Sequence, residues 1–154
     1  MELEPYLHPE QVQILQDCKD QADLLNRLAS MAGSSLPALT PEELASRLLE
    51  RERLAPTGTR DGVAFPHVLA EDIEESIVIV ALVPGGIPFA GTDSNRCDLI
   101  FSMFGSSTRP WVHVHMLARM ARLVHTEESR RKLRAAKNSE ELLDALLAED
   151  RSHG

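Results

Sequence analysis

The feature that most restricts the fold is one unbroken apolar run, Ile77 to Val83, near the middle of the chain. The run is rich in isoleucine and valine, whose β-branched side chains favour strands. Its length and β-branching predict a strand buried on both faces, at the centre of a sheet that helices cover. It is also far too short to cross a bilayer, which takes about 20 apolar residues in a helix. The run therefore predicts a globular chain without membrane insertion.

Residues on either side of this run predict further strands. Residues 12–15 are typical of a short first strand, and 99–104 of a second buried strand. Pro84–Gly86 directly follows the central run, and its Pro-Gly-Gly sequence is typical of a turn. The strands are therefore expected to lie in the middle of the chain, apart from the first.

Helices are predicted before and after these strands. The clearest start is Thr40, which can cap the helix, with Pro41 in the first turn and Glu43 closing a capping box. Leucine spacing and similar signals predict helices over 20–31, 41–53 and 110–125, then a short basic helix and a last helix from 139. This order predicts an α/β fold with a mixed β-sheet flanked by α-helices on both faces.

Composition and net charge indicate the class of protein and the kinds of partner that it can bind. Hydrophobic residues make up 43% and charged residues 26% of the 154, as in an ordinary globular domain. One domain over 1–154, with its core at about 10–149, is therefore expected. The net charge of -8 disfavours nucleic acids and anionic membranes and favours a basic protein partner. The acidic start of the chain is unlike a signal peptide, so a cytoplasmic location is expected.

Two cysteines, Cys18 and Cys97, lie far apart and form no CxxC pair. They are expected to be buried and inert, with a disulfide or redox role as the alternative. The sequence has neither a Walker A motif nor a GxGxxG motif, so no nucleotide cofactor is indicated.

His67 is the first candidate for chemistry. It stands directly after Pro66 and follows a loop that contains Gly58 and Gly62. Pro66 fixes its own φ and biases Phe65 toward extended geometry, so the backbone leading to the imidazole is stiff. A histidine at a strand end beside a loop can be reached by another protein. A lone histidine is also typical of a structural or merely exposed position, and the pattern leaves both interpretations open.

His113 and His115 lie on the predicted third helix and face in nearly opposite directions. His113 is in register with Met120, on the stripe that should face the core. His115 is in register with Arg119 and Arg122, a stripe that should be solvated. We therefore expect His113 to point inward and His115 outward.

The first helical turn gives His113 a possible role. Unpaired N–H groups and the positive end of the helix dipole favour an anion there. A histidine in that turn can donate a hydrogen bond to a phosphoryl group. The alternative is a core histidine bonded to a carbonyl, and periodicity alone favours this alternative.

A metal site is a further interpretation of these histidines. His113 and His115 cannot share one ion because their faces diverge, and no HExxH or paired CxxC spacing occurs. Asp93, Asp98 and His67 could add ligands only if the fold brought them together. No metal is expected, and a metal hydrolase using His67, His113 and Asp98 remains a competing hypothesis.

The stretch from Leu49 to His67 resembles the signature of type-2 enzyme IIA domains of the bacterial phosphotransferase system. That signature has an RE-rich helix end, a Ser/Thr-Gly loop and a G-[IV]-A-[IV]-P-H segment. The stretch from Phe89 to Phe101 resembles the family's FDA-x-D…DL-x-F strand entry, and His113 to Leu123 resembles H-L-x-x-L-A-R-L. The first helices and the segment that opens the last helix also fit the family, so the resemblance covers nearly the whole chain.

This resemblance implies a mannitol-type enzyme IIA fold and a phosphohistidine phosphocarrier, which needs no cofactor. It implies that His67 accepts the phosphoryl group, that His113 hydrogen-bonds it and that Arg51 pairs with it. His115 matches no functional position of the family. The implied donor is an HPr-type phosphocarrier, and the implied acceptor is an EIIB-type or regulatory protein.

The chain departs from the family pattern at several positions: Pro56, Arg60, Val68 and Ala90 replace a loop Ser or Thr, a loop Gly, the Gly after Pro-His and an Asp. The altered loop motivates an alternative from another class, a nitrogen-type regulatory module that binds a partner with weak or no phosphotransfer. The sequence carries no fused transporter or IIB region, which favours a regulatory branch over sugar transport.

Overall fold

A five-stranded mixed sheet forms the centre of the computed structural model, which describes residues 1–89 and 96–153. The strands are β1 (Val12–Ile14), β2 (Val63–Ala64), β3 (His67–Ala70), β4 (Ile77–Pro88) and β5 (Arg96–Ser106). The α-helices are α1 (Gln21–Gly33), α2 (Pro41–Leu54), α3 (Pro110–Leu123), α4 (Glu127–Arg134) and α5 (Ser139–Ser152).

The two long strands carry the sheet. β4 and β5 pair antiparallel, and β1 runs parallel to β4 on its outer side. β2 and β3 both run parallel to β5 along its other edge, one after the other, so that Val63 is opposite Leu99 and His67 is opposite Met103. The chain therefore passes along this edge of the sheet once, in two short strands that Phe65 and Pro66 separate.

β4 is buried on both faces, as its apolar run predicts. Successive side chains of a strand point to opposite faces. Ile77 and Ile79 pack on the face covered by α1 and α2, whereas Val78 and Val80 pack on the face covered by α3 and α5. The predicted α/β fold, with a mixed sheet between two helical layers, is confirmed. No helix of the described residues is long and apolar enough to cross a membrane.

The predicted starts of α1 and α2 are confirmed. The Thr40 side chain accepts a hydrogen bond from the Glu43 N–H at 3.1 Å, and Pro41 occupies the first turn of α2. Asp20 caps α1 in the same way, accepting from the Asp23 N–H. Both cysteines are free thiols: Cys97 is buried as expected, whereas Cys18 is only half-buried.

The turn predicted at Pro84–Gly86 is wrong, because β4 continues through it. The register with β5 shifts between Leu82 and Ile87, which marks a bulge rather than a chain reversal. Gly85 and Gly86 have φ values of 82° and 67°, a left-handed conformation that glycine adopts without steric penalty. The two glycines absorb the extra residues, so the strand keeps its direction.

The solvated stripe predicted for α3 is also wrong at Arg119, which is buried with 6% exposure. Its Nε donates to Asp150 of α5 at 2.9 Å, and its other nitrogens donate to the carbonyls of Asp150 and His153. Asp150 also accepts hydrogen bonds from the Leu3 N–H. Because this partner lies on another helix, the periodicity of α3 alone does not reveal it.

Candidate functional site

His67 is the first residue of β3, immediately after the break between β2 and β3. The sequence predicted a strand end, and the structure places it at a strand start instead, because two short strands replace one. Its backbone is paired to Met103 of β5, and Pro66 precedes it, so its position on the sheet edge is fixed. The imidazole itself is only half-buried, which leaves part of it open to solvent.

The hydrogen bonds of His67 assign different roles to its two ring nitrogens. Nδ1 lies 2.8 Å from the Phe65 carbonyl oxygen, which can only accept, so Nδ1 carries the proton. Nε2 accepts a hydrogen bond from the Nε–H of Arg51 at 3.1 Å. Both contacts require the neutral tautomer with an unprotonated Nε2, which is the form with a nucleophilic lone pair on that nitrogen.

Arg51 reaches His67 from the last turn of α2. Its Nη1 donates to the carbonyl oxygen of Ala55 at 2.7 Å, just beyond the end of that helix. A cation in this turn also faces the negative end of the helix dipole. The guanidinium is therefore held at the helix end with its Nε directed at the imidazole.

His113 lies beside His67 in the first turn of α3. The two ring centroids are 4.8 Å apart with an angle of 56° between the planes. His113 is 6% exposed, and neither of its nitrogens has a hydrogen-bond partner among the described residues. The alternative of a core histidine bonded to a carbonyl is therefore wrong, and the exposed His115 points away as predicted.

A glycine of β5 leaves room for the His113 ring. A Cβ placed on Gly105 would lie 3.4 Å from Nδ1 of His113 and 3.3 Å from a methyl of Leu69. Both distances are at the short end of van der Waals contact, so a larger residue would press on both side chains. The absence of a side chain at Gly105 thus leaves space for the side chains of both His113 and Leu69.

The two histidines are neutral near pH 7. Burial is the main influence that lowers the pKa of His67, and the Arg51 guanidinium lowers it further. Burial, together with His67 and Arg51, lowers the pKa of His113 to about 4. A neutral imidazole can attack as a base at one nitrogen and donate from the other, so each ring can contribute one of these functions.

An open cleft of about 520 Å³ gives access to His67. Its rim is partly apolar, with Leu54 79% and Leu69 39% exposed. Its remaining lining residues are Arg47, Glu50, Arg51, His67 and Val68. A wide opening with a cation and exposed leucines fits contact with another protein better than enclosure of a small molecule.

A second layer of polar groups behind His67 was missed by the sequence analysis. Glu52, next to Arg51, is 4% exposed, and its carboxylate accepts from the hydroxyl and the N–H of Thr57. The Thr57 hydroxyl in turn accepts from the Phe65 N–H at 3.2 Å. The one signal available in the sequence was a glutamate on the leucine stripe of α2, in register with Leu48.

Within the part of the chain that it describes, the structure does not bring together the residues that the metal-site hypothesis requires. Asp98 pairs instead with Arg134 of α4, whose Nε lies 3.0 Å from both carboxylate oxygens. Within residues 1–89 and 96–153, no three His, Cys, Asp or Glu side chains are grouped so that they could hold an ion. Ala90 and Asp93 lie outside the described residues. His67 and His113 converge, and Asp98 is not part of their cluster.

Comparison with known sequences places these residues in a family. The sequence model of the phosphoenolpyruvate-dependent sugar phosphotransferase system EIIA 2 family matches residues 5–149. The chain belongs to this family. The resemblance found in the motifs is thereby confirmed, and the chain is an EIIA-type domain of a family of phosphotransfer proteins, which are transferases.

Individual relatives come from the regulatory and the sugar-specific branches of the family. The nitrogen regulatory protein of Escherichia coli K12 is 29% identical over 126 residues, which cover 81% of this chain and 77% of that protein. Among solved structures, the nitrogen regulatory protein IIA-Ntr of Neisseria meningitidis has a TM-score of 0.85 at 19% identity, covering 94% of this chain and 98% of that one.

A third relative was solved as part of a complex of two proteins. Enzyme IIA for mannitol from Escherichia coli, solved together with phosphorylated enzyme IIB, has a TM-score of 0.75 at 18% identity, covering 92% of this chain and 97% of that one. At such identities the structural likeness concerns the fold, and the expected mannitol-type enzyme IIA fold is confirmed. The EIIA family thus includes a member whose contact with an EIIB partner is known.

Proposed function

We propose that this EIIA domain is a phosphohistidine phosphocarrier that accepts a phosphoryl group on Nε2 of His67 and passes it to a second protein. The observation that carries the proposal is the hydrogen bond from Nδ1 of His67 to the Phe65 carbonyl. That bond leaves Nε2 as the nitrogen with a lone pair, next to an open cleft and a second imidazole.

The transfer step requires no proton movement at His67. The Nε2 lone pair attacks the phosphorus of a phosphohistidine on the donor protein, and the donor's N–P bond breaks as the new one forms. The electron pair returns to the donor's nitrogen, while Nδ1–H of His67 stays on the Phe65 carbonyl. In-line transfer through a loose, anionic transition state depends mainly on positioning and charge stabilisation.

Arg51 and His113 are the residues proposed to stabilise the transferred group. Arg51 contacts the lone pair that has to attack, so its guanidinium has to leave Nε2 and pair with the incoming phosphoryl oxygens. His113 is neutral, and neither of its nitrogens is bonded to a described residue, so it can donate one hydrogen bond to a phosphoryl oxygen.

The proposed partners are an HPr-type phosphocarrier as donor and an EIIB-type or regulatory protein as acceptor. Exposed leucines on the cleft rim and the net charge of -8 support docking of proteins with a basic, partly apolar contact surface. The proposal includes a cytoplasmic location, where these partners occur, and a single domain over 1–154 with its core at about 10–149.

A regulatory role is the second candidate, since the E. coli relative described above is a nitrogen regulatory protein. In that case the surface around His67 binds and controls a partner, with slow or no phosphotransfer. The changed loop supports this alternative: Pro56 and Arg60 are exposed, whereas Val68 is buried within β3. The changes at positions 56 and 60 thus alter the outer surface of the loop before His67.

A labelling experiment tests the proposal and separates the two candidates. The protein is incubated with enzyme I, an HPr-type carrier and labelled phosphoenolpyruvate, and acid-labile, base-stable label is measured. We expect label on the wild type and none on His67→Ala. His115→Ala, which removes an exposed histidine of the same helix as His113, is the matched control and should be labelled normally. An unlabelled wild type that still binds a partner would favour the regulatory module.

A further inference from the structure

Two consecutive residues at the end of α2 act on opposite nitrogens of one imidazole. Arg51 donates directly to Nε2 of His67. Glu52 reaches Nδ1 indirectly, through Thr57 and then through the backbone of Phe65. The last turn of α2 therefore acts on both nitrogens of His67, directly through Arg51 and indirectly through Glu52.

Glu52 is an unexpected residue at its position. It continues the buried stripe of Leu44 and Leu48 and is itself 4% exposed, where another leucine would pack without any polar cost. Removing a carboxylate from water is costly unless hydrogen bonds replace its hydration. Here the Thr57 N–H lies 3.2 Å from Oε2, and the Thr57 hydroxyl donates to Oε1. Because both hydrogen bonds to the buried Glu52 carboxylate come from Thr57, we interpret Glu52 as a residue that fixes the position of Thr57.

The hydrogen bonds of this chain of groups can run in only one direction. An ionised carboxylate only accepts, so the Thr57 hydroxyl has to donate to Glu52. The free lone pairs of that hydroxyl then accept from the Phe65 N–H. Glu52 thus determines how Thr57 is oriented, and Thr57 fixes the amide of Phe65.

Fixing this amide also fixes the carbonyl that holds His67. The following Pro66 restricts the ψ angle of Phe65 to extended values, and the hydrogen bond from its N–H restrains the other side of the residue. The Phe65 ring adds a packing contact with Phe101, with ring centroids 6.1 Å apart. The Phe65 carbonyl therefore has little freedom to turn away from Nδ1.

We infer that Glu52 and Thr57 are positioning residues that act together with the Arg51 hydrogen bond to hold His67 in the tautomer with Nδ1–H and an unprotonated Nε2. In the other tautomer the lone pair would lie on Nδ1, opposite the Phe65 carbonyl oxygen, and Nε2–H could not attack. The inference rests on the proposed function of His67, and it adds two residues that do not touch the phosphoryl group.

The same residues also stabilise the product. Attack by Nε2 leaves the ring of His67 with both nitrogens substituted and thus positively charged, balanced by the phosphoryl anion. The Phe65 carbonyl accepts from this cation, and the negative charge of Glu52 acts on the imidazole in the direction that raises its pKa. Glu52 therefore favours the ring charge that forms during transfer.

The test is made on the unphosphorylated full chain by long-range 1H–15N correlation spectroscopy, which distinguishes the two tautomers of His67. We expect the wild type to hold Nδ1–H alone and Thr57→Val to give a mixture. Thr57→Ser retains the hydroxyl and should restore the wild-type spectrum. Thr59→Val is the matched control, since this loop hydroxyl bonds to Val63 and not to Phe65.

Glu52→Gln tests the charge at unchanged shape, and we expect the pKa of His67, followed by the same spectra, to fall further. Phosphoryl uptake by Thr57→Val should fall roughly tenfold, which corresponds to the loss of one hydrogen bond. A pure Nδ1–H tautomer in Thr57→Val, a serine variant as defective as the valine variant, or an unchanged His67 pKa in Glu52→Gln would overturn the inference. Because the tautomer is measured without phosphate, failure of the inference is distinguishable from failure of phosphotransfer.

Discussion

The imidazoles of His67 and His113 lie 4.8 Å apart, centroid to centroid, although one begins a strand and the other lies in the first turn of a distant helix. Each ring sits in a partly or fully buried environment, and each has a lowered pKa. Two neutral rings at this distance allow one to act as a nucleophile while the other donates a hydrogen bond. The burial of His113, together with its proximity to His67, is the basis for the first prediction.

Replacing His113 should make the free energy of unfolding depend less on pH in the acidic range. Its pKa is about 4 in the folded state and about 6.5 in the unfolded state. Between these values the unfolded state binds more protons, so the free energy of unfolding decreases as the pH falls from about 6.5 to about 4. The contribution is on the order of 3 kcal/mol. Urea unfolding of the wild type and of His113→Phe at several pH values measures it, and parallel curves would contradict the prediction.

Replacing Arg51 should raise the pKa of His67, because the guanidinium charge is one of the causes that lower it. Arg51→Gln also removes the cation that would pair with the phosphoryl group, so phosphoryl uptake should fall by a factor of about 10 to 100, as for a charge-assisted hydrogen bond. NMR titration of His67 and the labelling assay measure the two effects. The control is Arg53→Gln, an exposed arginine of the same turn, which should change neither.

An alanine at Gly105 should disturb His113 without unfolding the protein. The added Cβ would meet Nδ1 of His113 at 3.4 Å and a Leu69 methyl at 3.3 Å. Leu69 is partly exposed and can move, whereas the buried His113 ring has little room. We expect Gly105→Ala to lower the free energy of unfolding by about 1 kcal/mol and to shift the His113 resonances. Unchanged His113 resonances would show that Leu69 alone accommodates the methyl group.

Removing the buried Arg119 should destabilise the fold far more than removing an exposed arginine of the same helix. Arg119→Ala leaves the carboxylate of Asp150, which is 1% exposed, without its cation, and such a loss costs about 3–5 kcal/mol. Arg122→Ala, at an exposed position one turn later, should cost less than about 0.5 kcal/mol. Chemical denaturation of both variants measures the difference, and equal stabilities would refute the structural role of the ion pair.

Part of the site was predictable because it depends on neighbours in the chain. Pro66 before His67, the cap at Thr40 and the inward face of His113 all follow from local backbone geometry and helix periodicity. The bulge at Gly85 and Gly86 was not predictable in this way, since Pro-Gly-Gly is compatible with a turn and with a bulged strand. The bulged strand forms because β4 pairs with β5 on both sides of the two glycines.

The amino-acid sequence by itself determined the helices, the burial of β4 on both faces and the residue types capable of phosphoryl chemistry, because these follow from interactions within a few residues. The tertiary structure decided that His67 and His113 meet, that Nε2 of His67 carries the lone pair and that Arg119 is buried. The first and the third depend on contacts between elements far apart in the chain, such as that of Arg119 with Asp150. The second depends on Arg51 of α2, which donates to Nε2, and on the local backbone that directs the Phe65 carbonyl at Nδ1. Such contacts form only when the helices pack on the sheet, and neither periodicity nor local propensity encodes them.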